Sequence, residues 1–221
     1  MSFSSFILRS LLLALVAAML PTDLRADEVS FARGLREHGL YRLAALYCQQ
    51  QIDASRLADR QVAELAIELA RTHHQRGMEL PSAERAAAWS AADQALAAYS
   101  EGSGTQNFTL LVELQEALLL LEQAELERLG QLDRAAGPQI ESVRTRLRAV
   151  VDDLRQVAEA VELRRRELAP GRATGKEVFT LSELDALDRH INLSLAKALR
   201  EQGLSYPART PDRDDALLQA A

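Results

Sequence analysis

The chain has 221 residues, 48% hydrophobic and 26% charged, with a formal net charge of −6. That acidic balance excludes broad electrostatic binding to nucleic acid, which needs a basic face; "RTRLR" and "RRRE" leave only a local patch open, among interspersed acids. Aromatic residues make up 5% of the chain, Ala and Leu dominate, and Gly and Pro are scarce, so the expected fold class is all-α.

Residues 1–26 stand apart. Arg9 marks a short basic region, and the apolar run from Leu11 to Leu20 is too short to span a bilayer but suits a secretory signal. Ala26 precedes the expected cleavage site, so the mature protein is expected to be exported, to the periplasm or cell envelope. The alternative is an uncleaved membrane anchor. Cys48 is the single cysteine, which rules out a disulfide within the chain. It falls at an apolar helix position and reads as a small buried hydrophobe.

Beyond the leader the chain reads as helix after helix. A first helix ends before Gly39, and a second continues to Asp53. A third, from about Leu57 to Arg76, repeats Val62, Leu65, Ala66, Leu69 and Ala70 at three- and four-residue steps. Gly77 is expected to end it, with Pro81 and Ser82 starting an alanine-rich helix around Trp89. A small polar loop at 100–107 precedes another helix to Leu129. Then Ile140, Val143, Leu147, Val150, Leu154, Val157 and Val161 form a heptad seam. The stripe Leu111, Leu114, Leu118 and Leu121 is expected to meet that seam in a long antiparallel hairpin. After a loop at 168–179, "TLSE" (Thr180 to Glu183) is a capping box opening a helix to about Gln202. A short acidic helix start at Asp212 to Asp215 follows. With little to cover Leu217 and Leu218, the chain is expected to continue beyond Ala221 into a further repeat.

The phrase "LREHGLY" beginning at Leu35 returns far downstream as "LREQGLS" beginning at Leu199. The stretch "GLREHGLYRLAALYCQQQI" resembles the middle of a tetratricopeptide repeat, in which Gly39, Tyr41 and Ala44 fill three signature places and Cys48, beside Tyr47, stands where an aromatic is usual. Gly203 matches in the echo, with Ser205 and Ala208 after it. The layout is similar to that of large exported tetratricopeptide-repeat proteins of planctomycete-type bacteria. The resemblance implies helical hairpins in right-handed superhelical stacking: Gly39 allows a tight turn, Tyr41 wedges the hairpin, and Ala44 lets two helices touch. It implies protein binding and no chemistry.

No catalytic, cofactor-binding or metal-ligating set can be assembled from the sequence. "GRATGKE" at 171–177 has three residues between its glycines where a phosphate-binding loop needs four, and no Ser or Thr after Lys176. His73 and His74 are adjacent, so they point about 100° apart on a helix. His38 and His190 lack a partner at ligand spacing. Asp152 with Asp153 and Asp214 with Asp215 read as solvated charges. The sequons at Asn107 and Asn192 read as chance.

The expected organisation is a signal segment at 1–26, helical hairpins over 27–100, a long antiparallel hairpin over 108–168 and the start of a further repeat over 180–221. The expected function is a non-enzymatic scaffold that binds a protein or peptide on a concave helical surface. It needs no cofactor and meets a membrane only through an uncleaved signal. The alternative is a structural coiled-coil protein, homodimeric through the seam from Ile140 to Val161.

Overall fold

The computed structural model describes residues 28–54, 57–102, 107–130, 138–168 and 179–221. Among them are eight α-helices and no strand: α1 (Glu28–Glu37), α2 (Tyr41–Asp53), α3 (Asp59–Glu79), α4 (Ser82–Ser100), α5 (Thr109–Leu129), α6 (Pro138–Glu167), α7 (Leu181–Ser205) and α8 (Pro211–Ala220). The protein is all-α. The signal segment and the "GRATGKE" loop lie outside the described residues.

Each helix packs against its successor, and the odd-numbered helices also touch one another in sequence, α1 on α3, α3 on α5 and α5 on α7. Among the described residues no two even-numbered helices approach as closely along their backbones, although Arg155 of α6 donates to Gln219 Oε1 of α8 at 3.1 Å. The helices therefore form one continuous odd layer, with the even helices laid against it one by one. Contacts run only to near neighbours, the arrangement typical of stacked helical arrays.

The local reasons are legible. The heptad residues of α6 are all buried, with Leu147, Val150 and Leu154 fully enclosed, because α6 packs on both α5 and α7. The stripe expected to meet them is divided. Leu114 and Leu121 are buried in the core, whereas Leu111 and Leu118 are half-buried and line a groove. The capping box stands as the sequence writes it: Glu183 N–H donates to Thr180 Oγ1 at 3.2 Å, and Thr180 N–H donates to Glu183 Oε2 at 2.8 Å.

Two glycines depart from expectation. Gly77 and Gly203 do not end their helices; each lies two residues before the last helical residue. A Cβ at Gly77 would stand 2.8 Å from the Trp89 ring of α4, and one at Gly203 would stand 2.9 Å from Leu217 of α8. Their role is close approach by the next helix. The helices end instead at Leu80 and Tyr206, both with ψ 153°. Each precedes a proline, which disfavours helical geometry in the residue before it. Leu80 N–H and Tyr206 N–H donate back to Gly77 and Gly203 carbonyls, both at 3.2 Å. Arginines finish the caps: Arg85 donates to the Gly77 and Leu80 carbonyls, and Arg144 donates twice to the Ser205 carbonyl.

Leu217 also corrects the expectation of a poorly covered last helix, because it packs on Gly203 while Ala216 beside it is buried. Leu218, at 75% exposure, is uncovered as expected.

Candidate functional site: a groove on the odd-helix layer

The four residues singled out by the repeat-like motif lie in different settings. Gly39 occupies the turn between α1 and α2 at φ 72°, with open space where a Cβ would be, so its backbone conformation alone favours glycine. Tyr41 is half-buried, and its hydroxyl donates to Glu79 of α3. Ala44 is fully buried on α2, with Cys48 one turn on. Gly203 is helical and pressed against α8. The repeated phrase is thus folded in two ways, as a turn at Gly39 and as helix at Gly203. The structural counterpart of Gly203 is Gly77.

Burial pushes the Cys48 thiol up to about 12, with Glu68 adding to the effect. An unreactive core thiol results. His74, also buried, stacks on Trp89 at 5.9 Å, and its Nε2 lies 3.0 Å from Glu122 Oε2. The two are close enough to pair, though off the line of a good hydrogen bond, and contact with His74 holds the Glu122 carboxyl below its ordinary range. Among the described residues no group of three or more His, Cys, Asp or Glu side chains could hold a metal ion, and no helix is long and apolar enough to cross a membrane.

The feature with binding character is a groove of 370 Å³ whose floor is α5 and whose walls are α3 and α7. Its apolar surface comes from Ile67, Leu111, Leu114, Leu118 and Leu187, with Phe179. Size and lining fall within the ordinary range of ligand sites, which are mainly apolar with a few placed polar groups.

The groove is closed at one end. At the amino ends of the helices, Arg60 of α3 reaches across to Glu183 of α7, 2.7 Å away, while also pairing with Glu64 at 2.9 Å. The Arg60 guanidinium lies 5.7 Å from the centre of the Phe108 ring, which meets Phe179 edge-on at 5.2 Å. The Thr180 backbone amide, and then Arg60, hold the Glu183 carboxyl below its ordinary range. Asp59 secures the junction behind this bridge, accepting hydrogen bonds from Tyr99 Oη at 2.9 Å and from the Asn107 backbone and side chain. Further along, Arg71 Nε donates to Gln115 Oε1 at 2.7 Å, and His190 lines the α7 side.

A second cleft of 420 Å³ lies between α6, α7 and α8. Its arginines, Arg148 and Arg155, face three aspartates, Asp152, Asp212 and Asp215, and it lacks an apolar floor of comparable extent. The groove over α5 is the better-formed site.

Sequence reasoning missed the groove because its residues come from three separate helices and none belongs to a motif. The signal that was available is the pair Leu111 and Leu118, which the apolar stripe contains in excess of what the seam needs.

The fold and groove define an all-helical protein whose helices pack on near neighbours and leave a mainly apolar surface groove open over α5. Compared with models of protein families, with curated proteins and with solved structures, the chain matches none.

Proposed function

We propose that the protein is an exported, non-enzymatic helical-repeat scaffold that binds a segment of another protein along the face of its odd-numbered helices. In this reading the pairs α1–α2, α3–α4, α5–α6 and α7–α8 are four tetratricopeptide-like hairpins in right-handed superhelical stacking, and the α3–α5–α7 groove is the centre of the concave face. The observation that carries the reading is the continuous odd layer, in which successive helices meet and leave a groove open over α5. Extended surfaces made by stacked hairpins suit polypeptide partners.

The test is a photo-crosslinking residue placed at Leu111 or Leu118, compared with one at exposed Leu163 on α6, in the native host. Discrete polypeptide adducts from the groove positions and not from Leu163 are expected. Adducts from Leu163 alone, or crosslinks only to a second copy, would refute the scaffold reading. Light scattering is expected to give a monomer, because the seam that the homodimer needs is covered by α5 and α7. Export is tested separately by amino-terminal sequencing of protein from the host, which is expected to start near Asp27. An intact Met1 on cytoplasmic protein would remove that part.

A further inference from the structure

Each contact between successive odd helices is bridged by an arginine. Between α1 and α3, Arg36 Nε donates to Glu68 Oε1 at 2.5 Å; between α5 and α7, Arg128 Nε donates to Glu201 Oε2 at 2.7 Å. Glu68 and Glu201 are each 1% exposed, so each of these bridges joins a cation to a buried carboxylate. The middle bridge, from Arg71 on α3 to α5, has the same geometry but ends on the neutral amide of Gln115. Among the described residues no carboxylate forms an ion pair with Arg71, and burial lowers its pKa from the ordinary arginine value. A guanidinium has five N–H donors, and Gln115 takes one of them. The group is partly stripped of water and lines the groove over α5, and Glu68 and Glu122 act on its charge from a distance without pairing with it.

The other charges of the groove are committed. Arg60 and Glu183 hold each other, and Glu183 also caps α7. The charge left over is therefore positive and sits at Arg71. The apolar surface lies to both sides of it: Leu111 and Leu118 are one turn before and one turn after Gln115 on α5, on the same face. Leu187 lies across on α7.

We propose that the groove takes a polypeptide segment carrying an internal Asp or Glu, whose carboxylate seats on Arg71 while bulky aliphatic side chains on either side of it cover Leu111, Leu118 and Leu187. This rests on the protein-binding reading above and names its partner's chemistry. Arginine and carboxylate match in shape as well as in charge, and a half-desolvated arginine gains more from the pairing than an exposed one. The acid is internal to the segment because apolar surface extends both ways from Arg71.

The test is selection of short random peptides displayed on phage against the full chain, run in parallel on Arg71→Met and on Gln115→Glu. The second variant gives Arg71 the carboxylate that Arg36 and Arg128 already have, so its melting temperature is expected to be unchanged or raised. Peptides enriched on the parent are expected to carry Asp or Glu flanked by Leu, Ile or Phe. Replacing that acid by its amide is expected to weaken binding about tenfold. The difference should disappear on both variants. Binding should also survive amidation of the peptide's carboxyl terminus; loss on amidation would assign a terminal carboxylate and overturn the internal-acid proposal. Enriched peptides without an acidic preference, or with one that both variants retain, would overturn it too while leaving the docking reading in place. No enrichment over a blank surface would remove both.

Discussion

Replacing Arg128 by Met should destabilise the α5–α7 contact by about 3 kcal/mol, the lower part of the range for breaking a buried ion pair by deleting one partner. The lower part applies because Glu201 does not lose everything. Its Oε2 accepts from Arg128 Nε at 2.7 Å, but its Oε1 also accepts from exposed Arg200 at 2.9 Å. The remaining pair reaches a carboxylate that is 1% exposed and that would still lack its principal donor. The double variant Arg128→Met with Glu201→Met removes the charge as well, and apolar replacement of a whole buried pair is commonly neutral or stabilising. Urea unfolding followed by far-ultraviolet circular dichroism reads the difference. With a slope of about 2–3 kcal/mol/M, the single variant should move the midpoint down by about 1 M, and the double variant should return most of it. A single variant within about 0.5 kcal/mol of the parent would show that Arg200 and water satisfy Glu201 unaided. A double variant as unstable as the single one would show that packing, not charge, is what Arg128 supplies.

Ala44→Arg should cost about 1–3 kcal/mol or more, because a fully buried position would receive a long charged side chain; an unchanged melting temperature would contradict close packing of α2. Gly203→Ala should push α8 away through the 2.9 Å approach of Leu217 and speed amide exchange after Asp212, and Leu217→Ala in the same chain should restore protection. Burial raises the Asp93, Glu116 and Asp153 carboxyls, so their ionisation opposes folding above the unfolded-state value and has no effect once both states are protonated. Glu116→Gln should therefore raise the melting temperature at pH 7, with the gain vanishing below about pH 4. Cys48 should resist thiol reagents in native buffer at neutral pH and react fully in denaturant, since its pKa is raised to about 12; rapid native labelling would show that the α1–α3 cluster opens readily.

Features written in consecutive residues were legible in the sequence. The capping box at Thr180 and Glu183 needs four residues, and the heptad of α6 needs only its own periodicity. Both therefore stand in the structure as the sequence reads. Gly77 and Gly203 were misread because a helix-ending rule for glycine is local, while the reason for these glycines is tertiary: the Trp89 ring and the Leu217 side chain occupy the space. The proline after each helix was the better local signal. The echoed phrase misled for a related reason. Its two copies differ at His38 and Gln202, directly before the glycines, and again at Tyr41 and Ser205, and the shared residues alone do not distinguish the turn at Gly39 from the helix at Gly203. The groove was least legible of all, since Ile67, Gln115 and Leu187 acquire a common surface only when three helices stack. Nothing in the sequence around Arg71 distinguishes a bridge to an amide from the bridges of Arg36 and Arg128 to acids.

The neighbour-only pattern of helix contacts also sets an order of assembly. A nascent chain can close α1, α2 and α3 on one another as soon as α3 has emerged, and each later helix finds its partners among the two before it. Low sequence separation of this kind favours fast, vectorial folding. Among the described residues one bridge breaks the rule: Arg60, at the start of α3, must wait for Glu183 at the start of α7. A chain interrupted after α6 would be well packed over most of its length yet would have neither the far wall of the groove nor the bridge that shuts its end. The groove would thus be completed late and in one step, when the seventh helix docks.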